Sequence, residues 1–162
     1  SIVGSVDVYK RQHVTELAGG ILPGGTGEIP LLDLQAGPAN AKAVARAIRT
    51  GSVCSAHDLS EGGLLVAAAE MGFAGRLGIE LELGAVPGDS RNPMVTAFAE
   101  TPSRYLLEVA PEHVDAVVAA LADVPHAVVG RVHEDGVLRV SALGLEVSLD
   151  ALRQRWLAPL DW

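Results

Sequence analysis

The chain has 162 residues, a formal net charge of −8, a single cysteine and 49% apolar residues, with aromatics at only 4%. That length suits one domain, the acidic balance argues against a nucleic-acid surface, which needs a cationic face, and the lone Cys54 excludes an intrachain disulfide. No apolar run approaches the roughly 20 residues of a membrane span and no basic-then-apolar leader opens the chain, so a cytoplasmic protein without nucleic-acid or membrane contact is expected. The mean hydropathy of +0.30 fits either an Ala/Val/Leu core or an apolar surface that faces another domain.

In chain order, residues 1–14 stand unassigned, either a terminal strand or a remnant foreign to the domain, and a single domain is expected over 15–162. Residues 18–30, rich in glycine and holding Pro23 and Pro30, read as a loop. Ala41, Val44, Ala45 and Ile48 recur at helical spacing within 39–50, and Gly51 ends that run. Val53–Ala56 is a short strand, and Gly62–Met71, apolar nearly all round, is a buried helix. Leu77–Leu83 alternates Leu, Ile79, Leu81 and Leu83 against Glu80 and Glu82, a strand with one wet face. Pro87–Pro93 is a loop, Met94–Ala99 a short helix and Arg104–Val109 another strand. Pro111 opens a helix with Val114, Val117, Val118 and Leu121 on one stripe. Ala127–Val132 and Val137–Val140 flank Glu134-Asp135-Gly136 and predict a hairpin. Leu145–Leu149 adds a strand, and Ser148 or Asp150 caps a closing helix near 151–156. This order predicts an α+β domain: a mixed, largely antiparallel sheet flanked by helices.

The stretch from Val53 to Leu64 concentrates the chemistry. Small residues lead into His57, Asp58, Ser60 and Glu61, and Gly62 and Gly63 then open the apolar helix. The first N–H groups of a helix lack internal partners and carry partial positive charge, and two glycines let a ligand approach that backbone closely. Asp58 and Glu61 would meet hydroxyls, a metal or an ammonium group, while His57 could donate to a developing oxyanion. The same residues also read as capping, with Ser60 or Asp58 as N-cap, Glu61 in the favourable first turn and the glycines serving close packing. Spacing leaves both readings open. Cys54 lies in an apolar strand without a nucleophile-elbow pattern and reads as a small core residue. His113, His126 and His133 read as surface groups, and no spacing of His, Cys and carboxylates suggests a zinc site.

The string Ala56-His-Asp-Leu-Ser-Glu-Gly-Gly-Leu64, continued by Ala-Glu-Met71, resembles the signature of the phosphoribosylformylglycinamidine synthase family, Ala-His-Asp-x-Ser-Asp-Gly-Gly-Leu followed by a helix ending in Ala-Glu-Met. Phe98-Ala-Glu-Thr-Pro-Ser-Arg-Tyr105 is similar to the family's Phe-x-Glu-Ser-x-x-Arg block. Gly19-Gly20 with Ile29-Pro-Leu-Leu-Asp33, and Gly130-Arg-Val132, are looser matches. Glu61 stands where the family has Asp, which moves its carboxylate by one methylene.

The resemblance implies the C-terminal domain of an ATP-dependent ligase of purine biosynthesis, with the fold of aminoimidazole ribonucleotide synthetase-like C-terminal domains. That enzyme converts formylglycinamide ribonucleotide to formylglycinamidine ribonucleotide with glutamine-derived ammonia. His57 would be the catalytic residue. Asp58, Ser60, Glu61, Gly62, Gly63, Glu100, Ser103 and Arg104 would bind substrate, with Arg104 clamping an anion or pairing with Glu100. ATP and Mg²⁺ would be bound mainly by a preceding N-terminal domain, with no metal site in this chain. A glutaminase domain or subunit would be a second partner, and a homodimer is compatible with the family. The chain alone is expected to be inactive. The alternatives are a domain of aminoimidazole ribonucleotide synthetase, selenophosphate synthetase or a hydrogenase-maturation enzyme, which share the Asp-x-x-x-Gly-Gly helix start, and a non-catalytic interaction module.

Overall fold

Leu106 and Leu107 are both buried, yet they belong to different apolar clusters. Neighbouring residues of a strand point to opposite faces, so the sheet that holds them is covered on both sides. The computed structural model describes residues 2–5, 33–88 and 92–160; the expected loop at 18–30 and the glycine-rich match at Gly19-Gly20 lie outside them. The described elements are β1 (Ile2–Ser5), α1 (Ala36–Arg49), β2 (Val53–Asp58), α2 (Gly63–Gly75), β3 (Gly78–Leu81), α3 (Pro93–Phe98), β4 (Tyr105–Val109), α4 (Val114–Ala120), β5 (His126–His133), β6 (Val137–Val140), β7 (Leu145–Ser148) and α5 (Leu149–Leu157).

The strands form one sheet in the order β2-β4-β1-β5-β3-β6-β7. Every neighbouring pair is antiparallel except β3 and β6. This is the expected α+β architecture, with helices on both faces. On one face, Ala43, Val44 and Ala47 of α1 and Val117 of α4 pack with Leu121 against Leu107 and Val109. On the other, Leu64, Leu65, Ala67 and Ala68 of α2 and Leu149 of α5 meet Leu106, Ile79, Leu81, Leu138 and Val140. Burying each such aliphatic side chain contributes about 1.5–3 kcal/mol. In α1 the buried stripe is Asn40, Ala43, Val44 and Ala47, while Ile48 is 46% exposed; the helix is rotated from the expected stripe so that its small residues meet the sheet. Among the described residues, no helix is long and apolar enough to cross a membrane.

Three features differ from the sequence reading or complete it. The segment Ile2–Ser5, unassigned from sequence, is a central strand: it pairs antiparallel with β4 on one side and β5 on the other. The predicted hairpin between β5 and β6 does not form, because β3 lies between them, antiparallel to β5 and parallel to β6. The turn Glu134–Gly136 arches over the start of β3, and Gly78 makes room for it: a Cβ there would collide with Asp135 Oδ1 and lie 2.9 Å from Val137 O. The true hairpin joins β6 to β7. Finally, Cys54 is exposed and not a core residue. The register of β2 on β4 shifts between Val53 and Ser55, a bulge that leaves Cys54 outside the ladder, and Cys54 shares the exposed parity of Ala56 and Asp58.

Candidate functional site

The signature segments converge at the end of the edge strand β2. Asp58 closes the strand opposite Tyr105, and the Leu59 N–H donates to Arg104 O at 3.0 Å. Leu59 itself is buried, which anchors the polar turn that follows to the core. Gly62 and Gly63 both adopt left-handed backbone, φ +76° and +65°, a region in which glycine pays no Cβ penalty. They turn the chain into α2, whose start lies directly on the end of α3.

From the other side, α3 is capped by Asn92, whose Oδ1 accepts from Met94 N–H at 3.0 Å, and it delivers Ala99 and Glu100 to the same place. Glu100 Oε1 accepts the Gly62 N–H at 2.7 Å. Arg104 is 1% exposed and its Nη1 donates to Ala99 O at 2.7 Å. Ser103 has φ +66°, and its carbonyl accepts from the buried Asn40 Nδ2 at 3.1 Å, so α1 holds this unusual turn in place.

Asp58, Ser60, Glu61, Glu100, Ser103 and Arg104 thereby line one open cleft of about 410 Å³, joined by Thr101. Thr101 is 4% exposed, and its Oγ1 has no hydrogen-bond partner among the described residues. Gly62 and Gly63 shape the wall behind these side chains. His57 is not brought to the cleft. It lies on the α2 face of β2, where Nε2 is 3.1 Å from Glu70 Oε2 and Nδ1 is 2.6 Å from Asp58 O. Sequence reasoning missed Asn40, Thr101 and Glu70. Asn40 had a signal: it is the polar member of an Asn40, Ala43, Val44, Ala47 stripe at helical spacing.

The cleft carries three carboxylates, Asp58, Glu61 and Glu100, against the guanidinium of Arg104. Glu100 takes up the Gly62 N–H, one of the orphan donors at the start of α2, so a carboxylate of the same chain already sits at that helix end. The exposed carboxylates and the hydroxyls of Ser60 and Ser103 are suited to hydroxyl, amide and amine groups. Among the described residues no three His, Cys, Asp or Glu side chains are grouped to hold a metal ion.

Residues 4–142 match the family model described as AIR synthase related protein, C-terminal domain. The chain belongs to this family. Among AIR synthase-related relatives, it is 42% identical over 134 residues to the phosphoribosylformylglycinamidine synthase subunit PurL of Rhodospirillum rubrum, covering 81% of this chain and 17% of that one. Its fold superposes on Thermotoga maritima PurL complexed with FGAR with a TM-score of 0.79, at 25% identity, over 93% of this chain and 27% of that one. The hydrogenase maturation protein HypE in complex with ATP is a weaker match, TM-score 0.62 at 17% identity, over 92% of this chain and 49% of that one, and shows shared fold alone. The chain therefore spans about a sixth of the curated relative and about a quarter of the solved PurL chain.

Proposed function

We propose that this chain is the C-terminal domain of a phosphoribosylformylglycinamidine synthase, and that its cleft forms one wall of the site for formylglycinamide ribonucleotide. The observation that carries this reading is the convergence of two segments far apart in sequence, Asp58–Gly63 and Glu100–Arg104, on one cleft. Each carries a block that resembles that family, and packing alone does not require so many polar side chains in one place. Asp58, Ser60, Glu61 and Ser103 are the groups proposed to touch substrate. Gly62, Gly63, Glu100 and Arg104 build the wall that presents them. His57 is proposed to act from behind Asp58, since the strand turns its ring away from the cleft.

With the Glu100 carboxylate already at the start of α2, the ribonucleotide phosphate and the ATP–Mg²⁺ pair are assigned to an N-terminal domain facing this wall. Ammonia is assigned to a glutaminase partner, and the setting is cytoplasmic. Joining the chain to such a domain and glutaminase, and measuring ATP- and glutamine-dependent formation of formylglycinamidine ribonucleotide, tests the reading. Turnover is expected only in the assembly. Asp58→Ala is expected to lower kcat/KM by about 10- to 100-fold, the effect of losing one hydrogen bond to a charged group. A joined enzyme that turns over equally well with Asp58→Ala would refute the assigned wall, and an assembly that never turns over would favour a non-catalytic module.

A further inference from the structure

We infer that Glu70, in the middle of α2 and outside the cleft, is a positioning residue for Asp58 and acts through the imidazole of His57. The inference rests on the reading of the cleft as a substrate wall. Among the described strands, the one that carries Asp58 lies at the edge of the sheet, with β4 as its neighbour. An inner strand is fixed from both sides; the end of an edge strand is fixed from one, and opens locally with little cost to the rest of the fold. The last residue of β2 is nonetheless the one that reaches the cleft.

The His57 ring supplies the missing second support. Its Nδ1 is 2.6 Å from Asp58 O; a carbonyl oxygen only accepts, so this nitrogen carries the hydrogen. A ring is oriented by what each of its nitrogens meets, and the other nitrogen, Nε2, is 3.1 Å from Glu70 Oε2. The Glu70 carboxylate likewise only accepts, so the link needs a hydrogen on Nε2 as well, and the ring so protonated spans from a helix buried against the sheet to the backbone of the cleft residue. Glu70 is the sole charged residue of Gly63–Gly75. It sits at the rim of an apolar groove with Ala69, Phe73 and Trp156, and among the described residues its ion-pair partner is His57. As a contribution to stability the pair is slight: both side chains are about a third exposed, and such pairs contribute about 0–1 kcal/mol. A positioning role and a merely structural one thus predict different things. Positioning predicts local loosening at Asp58–Leu59 with the global fold intact.

Residue-resolved amide hydrogen exchange on the 162-residue chain separates them. The Leu59 amide, bonded to Arg104 O, is the reporter, and the amides of Leu107 and Val129 are the reference. Glu70→Ala and His57→Ala are each expected to speed exchange at Leu59 by about tenfold relative to the reference amides. The double variant is expected to be no faster than either single one, because both remove one linkage. Glu70→Gln, which keeps an acceptor oxygen, is expected to restore most of the protection. In the reconstituted assembly, Glu70→Ala is expected to raise KM for formylglycinamide ribonucleotide several-fold with kcat nearly unchanged. Unaltered exchange at Leu59 in Glu70→Ala, additive effects in the double variant, or an unaltered KM would each overturn the inference. If the wild-type assembly shows no turnover, the substrate-wall reading fails on its own, and the exchange experiment still decides whether Glu70 holds Asp58.

Discussion

Gly63 shows how closely the two signature segments are packed. A Cβ on it would lie 2.7 Å from both Ala99 O and Phe98 C, backbone atoms that cannot swing aside, and its φ of +65° disfavours any other residue. Gly63→Ala is therefore expected to destabilise the chain by about 2–4 kcal/mol, read as a lowered midpoint in urea unfolding with an unchanged slope. Of the two readings that spacing left open for this glycine, close packing is the one its contacts explain, whereas the polar side chains beside it face the cleft. Asp58, Ser60 and Glu61, which line the cleft, were legible as a polar cluster because a buried helix needs none at its head. The orientation of His57 was not. It depends on which face of β2 meets α2, and a bulge between Val53 and Ser55 sets that phase without leaving a mark in the sequence. Asn40 was readable in principle, as a polar residue in an otherwise apolar stripe, while Thr101 and Glu70 acquire meaning only from neighbours distant in sequence.

At the scale of elements, alternation and helical spacing located every strand from β2 to β7 and every helix from α1 to α5, with boundaries shifted by a few residues. Pairing was less legible. Glu134-Asp135-Gly136 has the composition of a hairpin turn, and Gly136 does adopt φ +66°, yet the strands it joins have β3 between them. Turn chemistry reports local chain reversal; it cannot report a third strand inserted through a gap opened by Gly78. The turn has a measurable signature. Asp135 accepts from Arg139 Nη1 and from Val137 N–H, and the Arg139 guanidinium, ahead of the other influences, holds its carboxyl below the usual carboxylate range. A carboxyl lowered on folding stabilises above its unfolded value near 3.8, and that contribution is lost as pH falls through the folded value. Asp135→Asn keeps an acceptor for Val137 N–H but loses the charge. Its melting temperature is expected to fall slightly below that of the parent at pH 7, with the two curves converging at acid pH, once pH falls through the lowered folded value. The gap is expected to shrink in high salt, as for any exposed pair. Parallel loss at both pH values would show that the charge is irrelevant.

For the whole molecule, the element whose role composition failed to suggest is the one that holds the sheet together. Ile2–Ser5 joins the β2–β4 pair to the β5–β3–β6–β7 group, and Ile2 is fully buried. Four residues offer too little periodicity to read, and their partners are distant. Gly4, opposite Leu106 on one side and Ala127 on the other, tests the point. Proline there removes an N–H from an inner strand, where proline is not tolerated. Gly4→Pro is expected to abolish cooperative thermal unfolding followed by circular dichroism; a cooperative melt close to that of the parent would mean that β1 is dispensable.

The position of β1 also sets the order of events when the chain is made. Ile2 pairs with Glu108 and Ser5 with His126, so β1, once synthesised, waits for more than 100 residues before these partners exist. Contacts so distant in sequence close slowly, because the loop entropy is lost before they form. Until then β4 and β5 present bare edges to any other strand nearby. Within this domain the strand at the centre of the sheet is made before the strands that flank it, and the interval between is when a nascent chain is most open to pairing with a neighbour.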